Sequence, residues 1–264
     1  MLPIAPLTVA DTFPKADLET RLAFGDLPGI IQLPAEDRPR VLRSYTAVHL
    51  EEEIRREALV RDWGGFVNFL KLAARESGGI LNYASLSREI GLSIPTVKSH
   101  YQLLEDMFVG FHLPAFSRSP RKNLLSTPRF YLFDLGVRHA ASGTRPGPDV
   151  VLTDPGRFLE HWVIGELWKR LQYLGEGSLH YLRTKDGAEI DAIVEQAGAL
   201  IPIEVKWTAR PGKGDATELE RFIGETRGAR HGYVVCRCPR HRHPLARAVV
   251  THRAPPGGTS PPCA

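Results

Sequence analysis

The stretch from Gly187 to Trp207 contains an aspartate, a glutamate and a lysine whose types and spacing could do chemistry: Asp191, Glu204 and Lys206. Apolar and polar residues alternate on both sides of Gly198, and this pattern predicts two strands joined by a turn. If the two strands pair as a hairpin, we expect Asp191, Glu204 and Lys206 to converge at one end of the sheet.

The alternation also predicts which residues share a face, because successive side chains of a strand point to opposite sides. In the first strand, the apolar residues expected opposite Asp191 are Ile190, Ala192 and Val194. In the second strand, the apolar residues expected opposite Glu204 and Lys206 are Ile201, Ile203, Val205 and Trp207.

This group of polar residues permits two interpretations. Two carboxylates supply the hard oxygen ligands that suit Mg²⁺, and a neighbouring lysine can orient a water molecule or offset charge on a phosphate. Alternatively, the three are solvated residues on the outer face of an antiparallel hairpin, which is a common arrangement. The spacing alone leaves both interpretations open.

A third carboxylate lies on a predicted helix upstream of the hairpin. Asp154 and Pro155 have the residue types of a helix N-cap and a first helical position, and the helical pattern continues to Leu171. Glu160 falls on its apolar face, where a carboxylate needs a partner because burying an unpaired charge is costly. Glu166 points elsewhere, and we expect it to be solvated.

Residues 83–108 have the pattern of a helix–turn–helix. Ser85 is expected to cap a short helix, Gly91 to turn the chain, and Ser93 to cap a second helix with Pro95 in its first turn. The residues of the second helix expected to face the core are Val97, Tyr101 and Leu104. The residues expected to face outward, toward DNA phosphates and base edges, are Thr96, Lys98, Ser99, His100 and Gln102.

The segment after these helices fits a winged helix. Residues 109–116 and 129–134 are predicted strands, and the loop between them carries Arg118, Arg121 and Lys122. Basic residues in such a loop can contact the DNA backbone. Winged helices also serve as protein-interaction modules, so DNA and a partner protein both remain candidate ligands.

The order helix, three strands, helix, strand, with Glu160, Asp191 and the pair Glu204 and Lys206, resembles the PD-(D/E)xK restriction-endonuclease-like superfamily. It is most similar to the variant found in Holliday-junction resolvases, although Ile190 stands where that motif has proline. The resemblance implies that Glu160, Asp191 and Glu204 bind Mg²⁺, with the Val205 carbonyl completing the shell. It also implies that Lys206 assists phosphodiester hydrolysis.

A longer stretch, residues 2 to 236, resembles the C-terminal half of a group of prokaryotic AAA-type ATPases. The motifs that carry this resemblance include LETRLAFGDLPGII, FYLFDLGV, FLEHWVIGEL, EIDAIVE and IPIEVKW. In that group, a P-loop ATPase module precedes a winged helix and a PD-(D/E)xK-like domain of unknown function. The present sequence contains no G-x-x-x-x-G-K-[ST] motif, so we expect no ATP-binding site in this chain.

Length and composition set broader limits. The 264 residues suffice for two domains, and the net charge of +4 permits an anionic partner such as DNA. Three cysteines give no disulfide framework, and neither a signal peptide nor a membrane span is predicted, so we expect a cytoplasmic protein. The sequence does not indicate an oligomeric state.

The C-terminal segment permits two interpretations. Cys236, Cys238, His241 and His243 are residue types that bind zinc, but their spacing is not a recurrent zinc-finger pattern. We therefore expect residues 238–264 to form a disordered tail rich in arginine and proline.

Together these patterns predict an α+β protein. We expect residues 1–32 to be the end of an ATPase module, 33–140 a mostly helical winged-helix domain, 141–149 a linker, and 150–237 a restriction-endonuclease-like αβββαβ domain. Three functions remain open: Mg²⁺-dependent DNA hydrolysis, a non-catalytic regulatory module of an ATPase that binds DNA or protein, and an inactive truncated remnant. Fold alone does not decide among them.

Overall fold

A computed structural model describes residues 16–50, 52, 54, 60, 62–117, 127–184, 187–237, 243–245 and 248–251. Within these residues, a mostly helical N-terminal region precedes a C-terminal region built on a mixed sheet, so the α+β prediction is confirmed at that level. Arg118, Arg121 and Lys122 of the predicted wing lie outside the described residues, as do Cys238 and His241.

The first region is built from short helices and one small antiparallel sheet. In chain order, its described elements are α1 (Leu18–Phe24), α2 (Pro28–Ile31), α3 (Arg38–Ser44), a π-helical segment (Tyr45–Leu50), α4 (Trp63–Glu76), α5 (Tyr83–Ile90), α6 (Ile94–Asp106), β1 (Gly110–Leu113), β2 (Arg129–Leu132) and α7 (Leu135–Ala141). Its core lies between α4, α6 and the β1–β2 pair.

Helices α5 and α6 lie where two helices joined by a turn at Gly91 are predicted. The Asn82 side chain, and not that of Ser85, caps α5 by accepting a hydrogen bond from the Ser85 backbone N–H at 3.0 Å. Gly91 ends this helix with φ near 70°, a conformation that glycine adopts without strain. Ser93 caps α6 as predicted, and the predicted core residues of α6, namely Val97, Tyr101 and Leu104, are all buried.

The prediction that His100 faces outward is wrong. Its ring lies 5.0 Å from that of Phe66 and 5.1 Å from that of Phe69, and the residue is only 8% exposed. Burial lowers the pKa of His100, which favours the neutral ring. The apolar face of α6 is wider than its sequence spacing indicates because two aromatic residues of α4 pack against it.

The other outward residues predicted on α6 are more accessible. Lys98, Ser99 and Gln102 are exposed, whereas Thr96 is half-buried, with its hydroxyl 2.7 Å from that of Ser93. The Lys98 ammonium lies 5.2 Å from the centre of the Tyr83 ring. Within the described part of α6, the surface available to a partner is therefore mainly polar, with a single basic side chain.

Helices α1 and α7 approach closely at Gly136, and this contact gives a stability prediction. A Cβ atom at position 136 would lie 2.1 Å from the Phe24 carbonyl oxygen, whereas one at Gly165 would have no atom within 4 Å. We expect Gly136→Ala to lower the free energy of unfolding by about 1–3 kcal/mol through overpacking. Gly165→Ala should raise it by roughly 0.5–1 kcal/mol.

Denaturant unfolding of the two variants measures this difference. Because both substitutions add one methyl group to a helix, the pair separates steric overlap from helix propensity. Equal stability of the two variants would contradict the close α1–α7 contact.

The second region surrounds one mixed sheet. Its described elements are α8 (Pro148–Thr153), α9 (Pro155–Leu174), β3 (Ser178–Arg183), β4 (Glu189–Gln196), β5 (Ala199–Lys206), a 3₁₀ turn (Lys213–Ala216), α10 (Thr217–Glu225), β6 (Gly232–Cys236), β7 (His243–Leu245) and β8 (Ala248–Thr251). The strand order is β3-β4-β5-β6-β8-β7, with the β5–β6 and β6–β8 pairs parallel and the others antiparallel.

The last two strands of this sheet lie where the sequence indicated a disordered tail. Strand β8 pairs with β6 from Gly232↔Ala248 to Val235↔Thr251, and β7 pairs with β8. Cys236 is buried at the end of β6, 5% exposed. The described parts of residues 238–264, namely β7 and β8, therefore extend the sheet.

Helix α9 begins as predicted, because the Asp154 side chain accepts a hydrogen bond from the Arg157 backbone N–H and Pro155 follows it. The helix continues one turn past the predicted Leu171 and ends at Gly175, which has a left-handed conformation. Its apolar face packs on β3 and β5, and α10 packs on the opposite face of the sheet. The sheet is thus covered on both sides.

The β4–β5 hairpin also forms as predicted, with Ala197 and Gly198 at its turn. Both residues have positive φ, 49° and 75° respectively, which is typical of a two-residue hairpin turn. The register runs from Gln196↔Ala199 at the turn to Ala192↔Ile203. Asp191 and Glu204 therefore occupy the next pair of positions, at the open end of the hairpin.

Ile190 does not share a face of β4 with Ala192 and Val194, although the alternation predicted a shared face. Ile190 packs with Ile193 against α10, whereas Ala192 and Val194 pack on the α9 side. The cause is a β-bulge, since β3 advances two residues from His180 to Leu182 while β4 advances three. Bulges re-aim neighbouring side chains, and Asp191 is one of the residues in this one.

Candidate functional site

The open end of the β4–β5 hairpin brings Asp191 next to the backbone of β5. Asp191 Oδ2 accepts a hydrogen bond from the Val205 N–H at 2.7 Å. Because Ile201, Ile203 and Val205 pack on the α9 side of the sheet, Glu204 and Lys206 lie on the opposite face, as the alternation predicted. The bulge and the strand pairing together position the aspartate beside the Glu204–Lys206 strand.

Glu204 and Lys206 form an ion pair at this end. Lys206 Nζ donates to Glu204 Oε1 at 2.5 Å, and the Glu204 side chain is only 12% exposed. The second oxygen, Glu204 Oε2, is buried and has no hydrogen-bond partner among the described residues. Glu204 is therefore not a solvated outer-face residue, and its orphaned oxygen is the kind of group that a bound cation or water would satisfy.

Glu160 has the partners that its place on an apolar helix face requires. Its Oε1 accepts hydrogen bonds from Arg129 Nη1 at 2.7 Å and from the Tyr131 hydroxyl at 2.9 Å. Both donors lie on β2, in the first region of the chain. The carboxylate is thus held from outside the sheet on which Asp191 and Glu204 lie.

Arg129 and Tyr131 are site residues that the sequence analysis missed. The Arg129 guanidinium is 7% exposed, lies 4.7 Å from the centre of the Tyr181 ring, and bonds both Glu160 and Glu189. The one available signal was an arginine at the start of a strand whose other residues are apolar, RFYL. That pattern predicted only a strand, because nothing in it locates carboxylates that lie 31 and 60 residues away.

Burial and mutual repulsion determine the electrostatics of the three carboxylates. Burial, followed by the charge of Asp191, raises the pKa of Glu160 to about 7 and that of Glu204 to about 7. Burial also raises the pKa of Asp191, against the opposing effects of the Val205 N–H, Lys206 and Arg129. The charge of Asp191 therefore acts on both Glu160 and Glu204, and Lys206 bonds Glu204 directly.

These raised values predict how stability depends on pH. An acid whose folded-state pKa is about 7, above its ordinary 4.5, binds its proton more tightly in the folded chain. That stabilisation is fully present below pH 4.5 and is lost as the pH rises through 7. In metal-free protein at pH 8, we expect Glu204→Gln to raise the free energy of unfolding by about 2 kcal/mol, with little gain at pH 5.

Chemical denaturation at the two pH values measures this effect. Glu195→Gln is the matched control, because Glu195 lies on the same hairpin with its side chain 50% exposed. A gain for Glu204→Gln that is equal at pH 5 and pH 8 would contradict the buried, repelled carboxylate.

The three carboxylates share one arrangement, in which one oxygen is held by a protein donor. Arg129 and Tyr131 hold Glu160 Oε1, the Val205 N–H holds Asp191 Oδ2, and Lys206 holds Glu204 Oε1. No hydrogen bond from the described residues reaches the other oxygen of any of the three. Donors that fix ligands from outside are typical of metal sites.

The ion that the sequence resemblance implies is Mg²⁺, and the carboxylates fit it only in part. Among the described residues, no group of three or more histidine, cysteine, aspartate or glutamate side chains is spaced to hold a metal ion directly. Mg²⁺ is usually bound through one or two carboxylates and keeps several waters. The adjacent Asp191 and Glu204, with their unbonded oxygens, fit that mode, whereas a closed cage that includes Glu160 does not form.

In the part of the chain that the structure describes, no helix is long and apolar enough to cross a lipid bilayer.

Comparison with known proteins gives family matches without functions. Residues 15–147 match the family described as Domain of unknown function (DUF8612), and residues 155–251 match Domain of unknown function (DUF4143). Uncharacterized proteins of Mycobacterium tuberculosis and Mycobacterium bovis are each 23% identical over 250 residues, which is 95% of this chain and 55% of theirs. The chain thus spans about half the length of the curated relatives it matches. No solved structure matches.

The boundary between the two matches divides the site. Arg129 and Tyr131 lie within the first match, and Glu160, Asp191 and Glu204 lie within the second. The candidate site is therefore assembled from both parts of the chain.

Proposed function

The chain belongs to the family described as Domain of unknown function (DUF8612), which the match over residues 15–147 shows. For the C-terminal region, we propose a Mg²⁺-dependent phosphodiester hydrolase acting on DNA. In this proposal, the α9-β3-β4-β5-α10-β6 order is a restriction-endonuclease-like core. Helices α5 and α6 with strands β1 and β2 form a winged helix that binds DNA.

The observation that carries this proposal is the cluster of buried carboxylates beside a lysine. Four carboxylates and two cations are linked by ion pairs or, for Asp191, by the electrostatic effects of Lys206 and Arg129, and the charges of the six leave an excess of two negative charges when all are ionised. The members are Glu160, Glu189, Asp191, Glu204, Arg129 and Lys206. A divalent cation neutralises that excess, which is a reason for such a cluster to be retained at neutral pH.

The residues of the hairpin take separate roles. Asp191 and Glu204 hold the cation through the oxygens that no described residue bonds, and Glu160 adds negative charge nearby. Lys206 orients the attacking water and offsets charge on the phosphate. A bound Mg²⁺ supplies Lewis-acid polarisation of a phosphoryl oxygen and lowers the pKa of its bound water.

The experiment that tests this function is cleavage of DNA by the purified protein. Supercoiled, linear and branched DNA are incubated with Mg²⁺ or Mn²⁺, and a chelator is added in a parallel series. We expect cleavage with either metal that stops with the chelator. No cleavage of any of the three DNA forms with either metal would overturn the proposal.

A second candidate function is favoured by a specific observation. Lys206 is paired with Glu204, Glu160 is paired with Arg129, and Glu189 is paired with the same arginine. In a non-catalytic regulatory module of an ATPase, these pairs are simply a structural ion network, and the helix–turn–helix binds DNA or protein. Salt-dependent DNA binding without cleavage under any of the conditions above would support this candidate.

A further inference from the structure

Arg129 is a buried arginine that forms ion pairs with two carboxylates. Its side chain is 7% exposed, and its two terminal nitrogens reach different elements of the sheet region. Nη1 donates to Glu160 on α9, and Nη2 donates to Glu189 on β4. Only arginine has a planar fork that holds two carboxylates in a fixed relation.

The guanidinium is held in place where the two regions of the chain meet. It lies 4.7 Å from the centre of the Tyr181 ring. Tyr181 on β3 is itself tied to the first region: its N–H donates to Pro114 O at 3.0 Å and its hydroxyl donates to Thr127 O at 2.7 Å. In addition, the Phe116 N–H donates to Tyr181 O at 2.6 Å. The segments flanking the β1–β2 loop are thus fastened to the strand beside β4.

Glu189, which Arg129 holds, lies two residues before Asp191 on the same strand. Arg129 therefore links the helix that carries Glu160 to the bulged strand that carries Asp191. Without this link, α9 and the start of β4 would present uncompensated carboxylates to each other, since the charge of Asp191 already acts on Glu160.

We propose that Arg129 is a positioning residue of the cation site, which it completes from the first region by fixing Glu160 and the Glu189–Asp191 segment relative to each other. This inference rests on the proposed function, because it concerns the same cation. It goes further in making β2, within the first family match, a required part of a site that otherwise lies within the second. Arg129 does not touch the cation, and it acts through the carboxylates that it holds.

Mn²⁺ affinity of the full chain, measured by titration calorimetry, tests this inference. Arg129 bonds neither proposed ligand, but it anchors Glu189 two residues before Asp191. We expect Arg129→Met to weaken Mn²⁺ binding by roughly 10- to 100-fold, the usual effect of removing an outer partner that supports a metal site. Arg129→Lys keeps the charge but lacks the fork, so an intermediate loss is expected. If Arg129→Met does not fold, Arg129→Lys carries the test alone.

The matched control is Arg138→Met. Arg138 is also a buried arginine stacked on an aromatic ring, 4.9 Å from the centre of the Phe158 ring, and its Nη2 bonds the Arg75 carbonyl oxygen. We expect this variant to lose stability and to keep wild-type Mn²⁺ affinity. An equal loss of affinity in Arg138→Met would overturn the inference, because general destabilisation would then explain both.

The remaining outcomes separate this inference from the proposed function. Wild-type binding of Mn²⁺ together with unchanged or tighter binding by Arg129→Met would overturn the role of Arg129 and leave the cation site standing. No Mn²⁺ binding by the wild-type chain would overturn both.

Discussion

Asp191→Asn is expected to lower the Mg²⁺-dependent DNA cleavage rate by at least ~10³-fold, because a metal ligand contributes several kcal/mol to stabilising the charge of the transition state. Asparagine has nearly the same shape, and its carbonyl oxygen can still accept the hydrogen bond from the Val205 N–H. The substitution therefore removes one negative charge and leaves the strand pairing in place. Single-turnover cleavage rates at saturating DNA measure the effect.

The control for this variant is Asp215→Asn. Asp215 lies in the 3₁₀ turn after β5, where its side chain accepts a hydrogen bond from the Gly212 N–H and its charge reaches Lys206. It is an aspartate near the site that the proposal gives no role, and its variant should cleave DNA within a few-fold of wild type. Equal rates for Asp191→Asn and wild type would exclude Asp191 as a ligand.

Lys206→Met is expected to lower the cleavage rate by at least ~10²-fold, a typical contribution of a group that assists proton transfer or orients water. Methionine keeps most of the length of the side chain and removes the ammonium that bonds Glu204 Oε1. Because the carboxylates remain, Mn²⁺ binding should persist, although the loss of a positive charge changes its affinity. A rate loss with retained metal binding distinguishes a role in hydrolysis from a role in holding the cation.

Lys213→Met provides the comparison for Lys206. Lys213 is an exposed lysine seven positions further along the chain, at the start of the 3₁₀ turn. Its loss should weaken DNA binding slightly and leave the rate at saturating DNA unchanged. If Lys206→Met behaves in the same way, its ammonium serves only DNA binding.

Local sequence signals predicted the elements well because each depends on neighbouring residues. Asp154 and Ser93 cap their helices through hydrogen bonds to backbone groups three positions away. The β4–β5 hairpin follows from alternation around a glycine turn, and its register brings Asp191 next to Glu204. Glu160 has the partner that a carboxylate on an apolar helix face requires.

The features that sequence could not predict depend on packing between distant segments. The bulge that separates Ile190 from Ala192 arises from pairing with β3, and strict alternation contains no signal for it. His100 is buried because α4 supplies Phe66 and Phe69 against it. An amphipathic pattern gives the centre of the buried face of a helix and leaves its width to the partner helix.

The missed partners of Glu160 show the same limit. The sequence required a partner for this carboxylate but contained many arginines, and only the approach of β2 to α9 selects Arg129. Strands β7 and β8 likewise lie in a segment whose composition favours disorder. In the described residues, β8 pairs with β6 and β7 pairs with β8.

The most direct test of the cation site is the position of Mn²⁺ in crystals of the full chain, located by its anomalous scattering. The account predicts a peak coordinated by the Asp191 and Glu204 carboxylates, with Glu160 and the Lys206 ammonium beside it and the Arg129 guanidinium still bonded to Glu160. No peak at saturating Mn²⁺, or a peak that neither Asp191 nor Glu204 coordinates, would contradict it.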